Sequence, residues 1–358
     1  MVPAPPGTPP GSLVAGPDAR ESTISVIAYS ADDILEETIN DTARLKELSG
    51  KWDVLWVNVV GFADVAAISR VGEIFGIHEL ALEDALTLSN RAKLEIYGDR
   101  YFMVAHMVEL AEGAVSIEQV SMFFGEGIVV TFQDAPFGLF GHVRERIRKK
   151  QGKIRSAGAD YLTYRLLDAI IDAYFPVLET LGERLDGMEE EILERPSRNS
   201  VTQVHDIKRD LLALRRTIWP MREAVGTLLR EHMDACDAST LLFLRDCHDH
   251  AVQIAELIEN YREIGSDLMD VYLSSLSNRL NEVMKVLTII TTICAPPTLI
   301  AGIYGMNFRT DLSPFNMPEL TWRFGYFFSL FLMVTLAVVT FVMVRGWLKT
   351  ETDSRGKI

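Results

Sequence analysis

Residues 286–308 read VLTIITTICAPPTLIAGIYGMNF, and residues 324–344 read FGYFFSLFLMVTLAVVTFVMV. The first run holds 23 uncharged residues between Lys285 and Arg309, the second 21 between Arg323 and Arg345. A helix crosses a ~30 Å hydrocarbon core with about 20 such residues. The second run is apolar on every side, as a lipid-facing helix should be. The first carries Thr288, Thr291, Thr292, Thr298, the pair Pro296-Pro297 and two glycines. Polarity and backbone irregularity of that kind are tolerated in a membrane only against protein or a water-filled cavity. A buried helical hairpin of a soluble protein fits poorly, because both runs exceed the usual buried length and end at basic residues.

Outward from these runs, the basic residues set an orientation. Arg279 and Lys285 precede the first, and Arg345, Lys349, Arg355 and Lys357 follow the second. The connecting loop holds only Arg309 and Arg323, offset by Asp311 and Glu319. Positively charged flanks stay inside, so both termini are expected in the cytoplasm, with the loop from Gly305 to Leu320 outside. The expected location is the cell membrane, as a multi-pass protein in contact with the lipid bilayer.

The chain carries 35 Lys+Arg against 50 Asp+Glu, net −15. From Lys285 onward there are 7 basic and 4 acidic residues, which leaves 28 and 46 in residues 1–284, net −18. An acidic body of this kind lacks the basic face that phosphate recognition requires, so nucleic acid is not an expected partner. Cys236, Cys247 and Cys294 are an odd number without framework spacing, which argues against a disulfide scaffold. Residues 1–22 are rich in Pro and Gly, lack the features of a secretory leader, and read as a disordered arm.

Residues 23–135 read as a cytoplasmic α/β domain. Strand-like runs are Ile24–Tyr29, Val54–Val60, Lys93–Tyr97, Tyr101–Val108, Ile117–Phe124 and Ile128–Phe132, with helix-like runs at Ala63–Phe75 and Glu79–Thr87. Gly98-Asp99 supplies a hairpin turn between the third and fourth of these strands. No GxGxxG, GxxxxGK[ST] or GxSxG motif occurs in the domain, so no nucleotide or nucleophile site is read there and no organic cofactor is expected.

Residues 136–238 are expected to form a long helical hairpin, Ala159–Glu194 and Val201–Asp234, broken at Arg195-Pro196-Ser197. Residues 239–304 read as one long stalk helix continuing into the first membrane span. Then follow an external loop (305–322), a second span (323–345) and a basic cytoplasmic tail (346–358). The fold class is thus an α+β membrane protein with an N-terminal cytoplasmic α/β domain, a long helical stalk and two C-terminal transmembrane helices.

The stalk carries a stripe. Positions seven apart are Asp270, Ser277, Met284, Thr291 and Thr298, interleaved with Ser274, Asn281, Thr288, Ala295 and Gly302. In a dry coiled coil those seats would be Leu, Ile or Val. A polar seam running into a membrane span suggests a water-filled axis between identical helices. Hydrogen-bonding polar residues that glue a membrane bundle are the other reading.

At Tyr304-Gly305-Met306-Asn307 the sequence resembles the CorA family of divalent-cation channels, which carry a Gly-Met-Asn loop after the first of two spans. SSLSNRLNEVMKVLTII, IAGIYGMNF, MPEL, FGIHELALEDAL and KLEIYGDRYF also look like that family, so the resemblance covers roughly residues 23–350. Here RTDLSPFN separates Phe308 from Met317, a longer loop than the family pattern, and Ala295 is smaller than the bulky residue expected there.

The resemblance implies a funnel-shaped homopentamer admitting Mg²⁺, with Co²⁺ or Ni²⁺ as further cargo. It implies a selectivity filter at Gly305, Met306 and Asn307, a polar ring at Asn281, a hydrophobic constriction at Met284 and Leu287, and an acidic ring at Asp270. It also implies that Glu83, Asp84, Asp168, Asp172, Asp246 and Asp249 hold regulatory Mg²⁺ between subunits, so that intracellular Mg²⁺ gates the channel.

Other functional classes fit the residues less well. Cys247-His248-Asp249-His250 looks metal-binding, but consecutive helical residues point about 100° apart, so 247, 248 and 250 do not converge on one ion. The pair Glu83-Asp84 has no partner His or cofactor motif, so no enzyme is expected. A zinc or proton-coupled transporter on the same scaffold, and a non-conducting membrane-anchored sensor, are the alternatives.

Overall fold

The computed structural model describes residues 9–16, 19–111, 113–136, 138–231, 237–307 and 315–355. Seven strands form one sheet: β1 (Thr23–Tyr29), β2 (Ile34–Ile39), β3 (Val54–Val60), β4 (Lys93–Tyr97), β5 (Arg100–Ala111), β6 (Ala114–Gly125) and β7 (Ile128–Gln133), in the order β2-β1-β3-β7-β6-β5-β4. Among these strands only β3 and β7 pair in parallel, with Val60 opposite Gln133 at their carboxyl ends. The expected hairpin is present: Tyr97 pairs with Arg100, and Gly98 takes φ +68°, a conformation glycine adopts without strain.

Each face of the sheet acquires its own cover. Val57 and Val59 of β3, with Val130 and Phe132 of β7, pack against α1 (Ala43–Leu48), α2 (Val65–Phe75) and α3 (Glu79–Leu86) through Leu45, Ile68, Val71, Phe75 and Leu82. The alternate residues of the same strands point the other way. Trp56 meets Phe140 edge-on at 5.9 Å and donates its indole N–H to Thr131 at 3.0 Å. Helices α4 (Gly141–Arg148), α5 (Ala159–Asp172) and α6 (Tyr174–Glu194) follow that aromatic pair in the chain, and the Tyr174 hydroxyl reaches back to the His106 carbonyl on β5 at 3.2 Å.

Among the elements that escaped the sequence reading are β2, α1 and α4. Strand β2 is a sheet edge whose ILEETI pattern is interrupted by Glu36-Glu37, and α1 is only six residues long. The stretch expected as one helix over 159–194 is two, α5 and α6, divided at Ala173. Pro176 explains the break. It has no N–H to offer the Asp172 carbonyl, and proline is tolerated in the first turn of a new helix.

Helix α7 (Arg198–Glu231) begins where Ser197 Oγ accepts the Ser200 N–H at 3.1 Å. The remainder of the helix expected to end at Asp234 lies outside the described residues. So do 1–8, 17 and 18 of the expected arm, 308–314 of the loop, and Lys357 of the tail. Within the arm, Gly11 donates its N–H to Glu83 at 2.7 Å, and Leu13 packs against the core.

Helix α8 runs unbroken from Ala238 to Tyr304, 67 residues, through Pro296 and Pro297. At 1.5 Å per residue it is about 100 Å long. Helix α9 follows over Gly325–Arg355. The chain divides into two compact units, Met1–Met269 and Asp270–Ile358, so the boundary falls inside α8. In the second unit the apolar stretches of both helices are unburied: Leu299 is 66% exposed and Phe331 69%. A continuous apolar surface of this extent belongs against lipid or other protein.

His106 yields a test of the first unit. It lies buried in β5, and burial depresses its pKa, partly offset by a hydrogen bond with the Asn90 backbone. Its folded pKa is below the unfolded value of about 6.5, so its share of stability is present above that pH and is lost as pH falls. His106→Gln is expected to flatten the loss of melting temperature between about pH 6.5 and 5, measured by thermal unfolding across a pH series.

Candidate ion pathway and metal-binding carboxylates

Helical spacing places the stripe on one side of α8. Asp270, Ser274, Ser277, Asn281, Met284, Leu287, Thr288, Thr291, Ala295, Thr298 and Gly302 are all exposed in the single chain. Three hydroxyls bond back to their own helix: Thr288 Oγ1 to the Met284 carbonyl at 2.8 Å, Thr291 to Leu287 at 2.9 Å, and Thr298 to Cys294 at 2.7 Å. A hydroxyl that has spent its proton on the backbone presents lone pairs outward. The stripe therefore offers oxygen acceptors to whatever faces it.

The helix closes with Gly305 N–H on the Ala301 carbonyl at 3.0 Å and Met306 N–H on Ile303 at 3.1 Å. Gly305, Met306 and Asn307 stand exposed just past its end. Gly325 opens α9 with its backbone against the Glu319 carbonyl, in a place where a Cβ would collide.

The six carboxylates expected to hold regulatory metal fall into separate settings. On α3, Glu83 accepts the Gly11 N–H, and Asp84 is held by Lys93 Nζ at 2.7 Å and Asn90 Nδ2 at 3.1 Å. Burial works against the Lys93 ammonium, but bonds to Asp84 and Glu95 outweigh it and raise its pKa. Asp168 and Asp172 on α5 meet His250 of α8, with one ligand atom of each within 4.8 Å of the others. His250 Nδ1 lies 3.4 Å from Asp172, and its Nε2 lies 4.0 Å from Asp246. Asp249 points elsewhere, 71% exposed and 3.6 Å from His248.

Asp168 is the buried member of this group. Burial raises its pKa and Asp172 adds to the effect, while Arg165, bonded at 2.7 Å, opposes both. Cys247 Sγ donates to its other oxygen at 3.6 Å, and burial pushes that thiol well above its usual range. The structure thus gathers Asp168, Asp172 and Asp246 around His250 and leaves Glu83, Asp84 and Asp249 with their own partners. Two aspartate oxygens and one imidazole nitrogen form a donor set suited to a divalent cation.

Sequence reasoning missed His250, Cys247, Arg165 and Lys93 as members of these settings. The spacing was available: His250 follows Asp246 by four residues and Cys247 by three, so each can neighbour it along the helix. What the sequence could not supply was that α5 lies opposite.

Two exposed apolar helices, an oxygen-lined stripe leading into the first and an acidic α/β body define a two-span membrane transport protein. The model of the CorA-like Mg²⁺ transporter protein family matches residues 53–345, and the chain belongs to that family. It is 43% identical over 94% of its length to the cobalt/magnesium transport protein CorA of Thermotoga maritima, of which 95% is covered. It is 35% identical to the putative metal ion transporter YfjQ of Bacillus subtilis, over 82% of this chain and 89% of that one. The fold matches the complete structure of the CorA magnesium transporter from Methanocaldococcus jannaschii with a TM-score of 0.76 at 21% identity, covering 90% and 97% of the two chains.

The buried pair gives a quantitative test. Arg165→Met strands the Asp168 carboxylate and is expected to cost about 3 kcal/mol of stability at neutral pH. Adding Asp168→Asn should restore most of it, read by denaturant unfolding of both variants.

Proposed function

We propose that this protein is a homopentameric influx channel for Mg²⁺, with Co²⁺ and Ni²⁺ as further cargo, in the cell membrane with both termini cytoplasmic. The observation that carries the reading is the stripe. A row of exposed oxygen-bearing side chains enters a membrane-length helix and ends at Gly305-Met306-Asn307. The similarity to proteins named for magnesium and cobalt transport supports it.

The chemistry is consistent with that cargo. Mg²⁺ prefers octahedral oxygen and sheds water reluctantly. Neutral acceptors such as the Asn307 amide and the Gly305 carbonyl can hold the hydrated ion without trapping it, as conduction requires. Met284 and Leu287 then form the apolar constriction, closing by dewetting. Asn307→Ala is expected to abolish Mg²⁺ flux into liposomes while leaving assembly intact, and wild-type flux in the variant would refute the filter. Comparing Mg²⁺, Co²⁺ and Zn²⁺ flux with and without a pH gradient separates this channel from a zinc or proton-coupled transporter.

Intracellular Mg²⁺ is proposed as the gating ligand, bound where acidic faces of neighbouring subunits meet. A net −18 in residues 1–284 repels itself, and two carboxylates at about 5 Å repel by roughly 3 kcal/mol at an effective dielectric near 20. Reversing a gate from 1:99 to 99:1 takes about 5.5 kcal/mol, so a few such contacts suffice. Lys93 already neutralises part of the Asp84 charge, which places more of the burden on Asp246, Asp249 and the α5 pair. Asp84→Asn with Asp246→Asn is expected to weaken both Mg²⁺ protection from protease and Mg²⁺ inhibition of flux. Unchanged dependence in both assays would leave the acidity as solvation only.

A further inference from the structure

A further feature of the first unit lies at the sheet, apart from the carboxylates of α3 and α5. In an open α/β sheet, ligands bind outside the carboxyl ends of parallel strands, where successive connections leave to opposite faces. β3 and β7 meet that condition. The chain leaving β3 enters α2 on one face, and the chain leaving β7 passes through Phe140 to α4 on the other. A crevice of about 520 Å³ opens at this point, lined by Arg20, Asn58, Gln133, Asp134 and Arg144 among others. Its size is that of a small-molecule site.

Polar groups line the crevice, and one of them keeps a buried atom unsatisfied. Asn58 is 5% exposed, and its Oδ1 accepts Thr131 Oγ1 at 2.7 Å and Gln133 Nε2 at 3.0 Å. Asp134 keeps Oδ1 buried without a hydrogen bond. Arg144 stacks over the Trp56 ring at 4.8 Å, and its carboxylate contact, Glu36, is 4.0 Å away and gives its short bonds to Arg148. Burial lowers the Arg144 pKa, with Glu36 opposing, as expected of a guanidinium short of an anion.

Arg20 is fixed at the rim by its backbone. Its carbonyl accepts the Ala63 N–H at 2.9 Å, and Ser22 Oγ donates to the Gly61 carbonyl at 2.9 Å. Gly61, at φ +80°, lies so close under the Glu21 carbonyl that no Cβ fits between them.

We propose that this crevice binds a phosphorylated sugar, nucleotides included, its phosphate on Arg20 and Arg144 and its hydroxyls on Asp134 and the Asn58 amide. Guanidinium forks suit phosphate oxygens, and a buried carboxylate oxygen without a donor suits a sugar hydroxyl.

The test is calorimetric titration of the full-length protein in detergent at fixed free Mg²⁺ with ribose 5-phosphate, AMP and ATP, and with adenosine as the unphosphorylated comparison. Saturable binding of a phosphorylated probe is expected, at least tenfold weaker in Arg144→Gln and in Arg20→Gln, with adenosine weaker still. Arg20 is exposed, so its variant reports on binding even if the stacked Arg144 variant melts early. No binding of any phosphorylated probe at millimolar concentration would overturn the proposal. So would adenosine binding as tightly, or affinity unchanged in the Arg20→Gln variant.

Discussion

Apolar surface that finds no partner within its own chain must find one outside it, and this requirement organises the protein. Helices α8 and α9 leave their membrane-length stretches unburied in the single chain. Lipid suits the apolar stretch of α9 that precedes Arg345. It does not satisfy the seam of α8, where Asn281, Thr288, Thr291 and Thr298 interrupt the Leu and Ile positions. A helix with one oily side and one oxygen-bearing side needs two kinds of neighbour, and the homo-oligomer proposed above would supply both.

The acidic body poses the complementary problem, and the structure answers it locally. Asp84 has Lys93, Asp168 has Arg165, and Glu36 has Arg148. Each pair is made between residues whose meeting depends on the fold or on a helix turn. The −18 of the body is therefore not a uniform field. Charge is cancelled at Asp84 and Asp168, whereas Asp246 and Asp249, 62% and 71% exposed, have only histidines beside them.

Much of the fold could be read in advance because its strands are long, β-branched and bounded by turn residues. β3 and β4 fall where periodicity places them, and α8 was legible as one helix because nothing before Pro296 stops it. Edge strand β2 was not, since a strand with one hydrogen-bonded neighbour and an acidic pair needs little apolar alternation. The α5–α6 break was legible in principle at Pro176 but was masked by the apolar period on both sides. The gathering of Asp168, Asp172 and His250 was hidden for a different reason. It joins residues 78 positions apart in sequence, from Asp172 to His250, and no local pattern encodes which helices are neighbours.

The paired prolines of α8 carry a mechanical consequence. Residues 296 and 297 have no N–H, so the carbonyls of Thr292 and Ile293 receive no helical bond, yet the helix continues to Tyr304. The final turns, which end at the Gly-Met-Asn loop, are thus tethered to the rest of the rod by a weakened ladder. Stiffness is high below this point and low across it. Small tilts of this end cost little elastic energy, so in the proposed channel the Gly-Met-Asn segment could shift while the rest of the rod keeps its register.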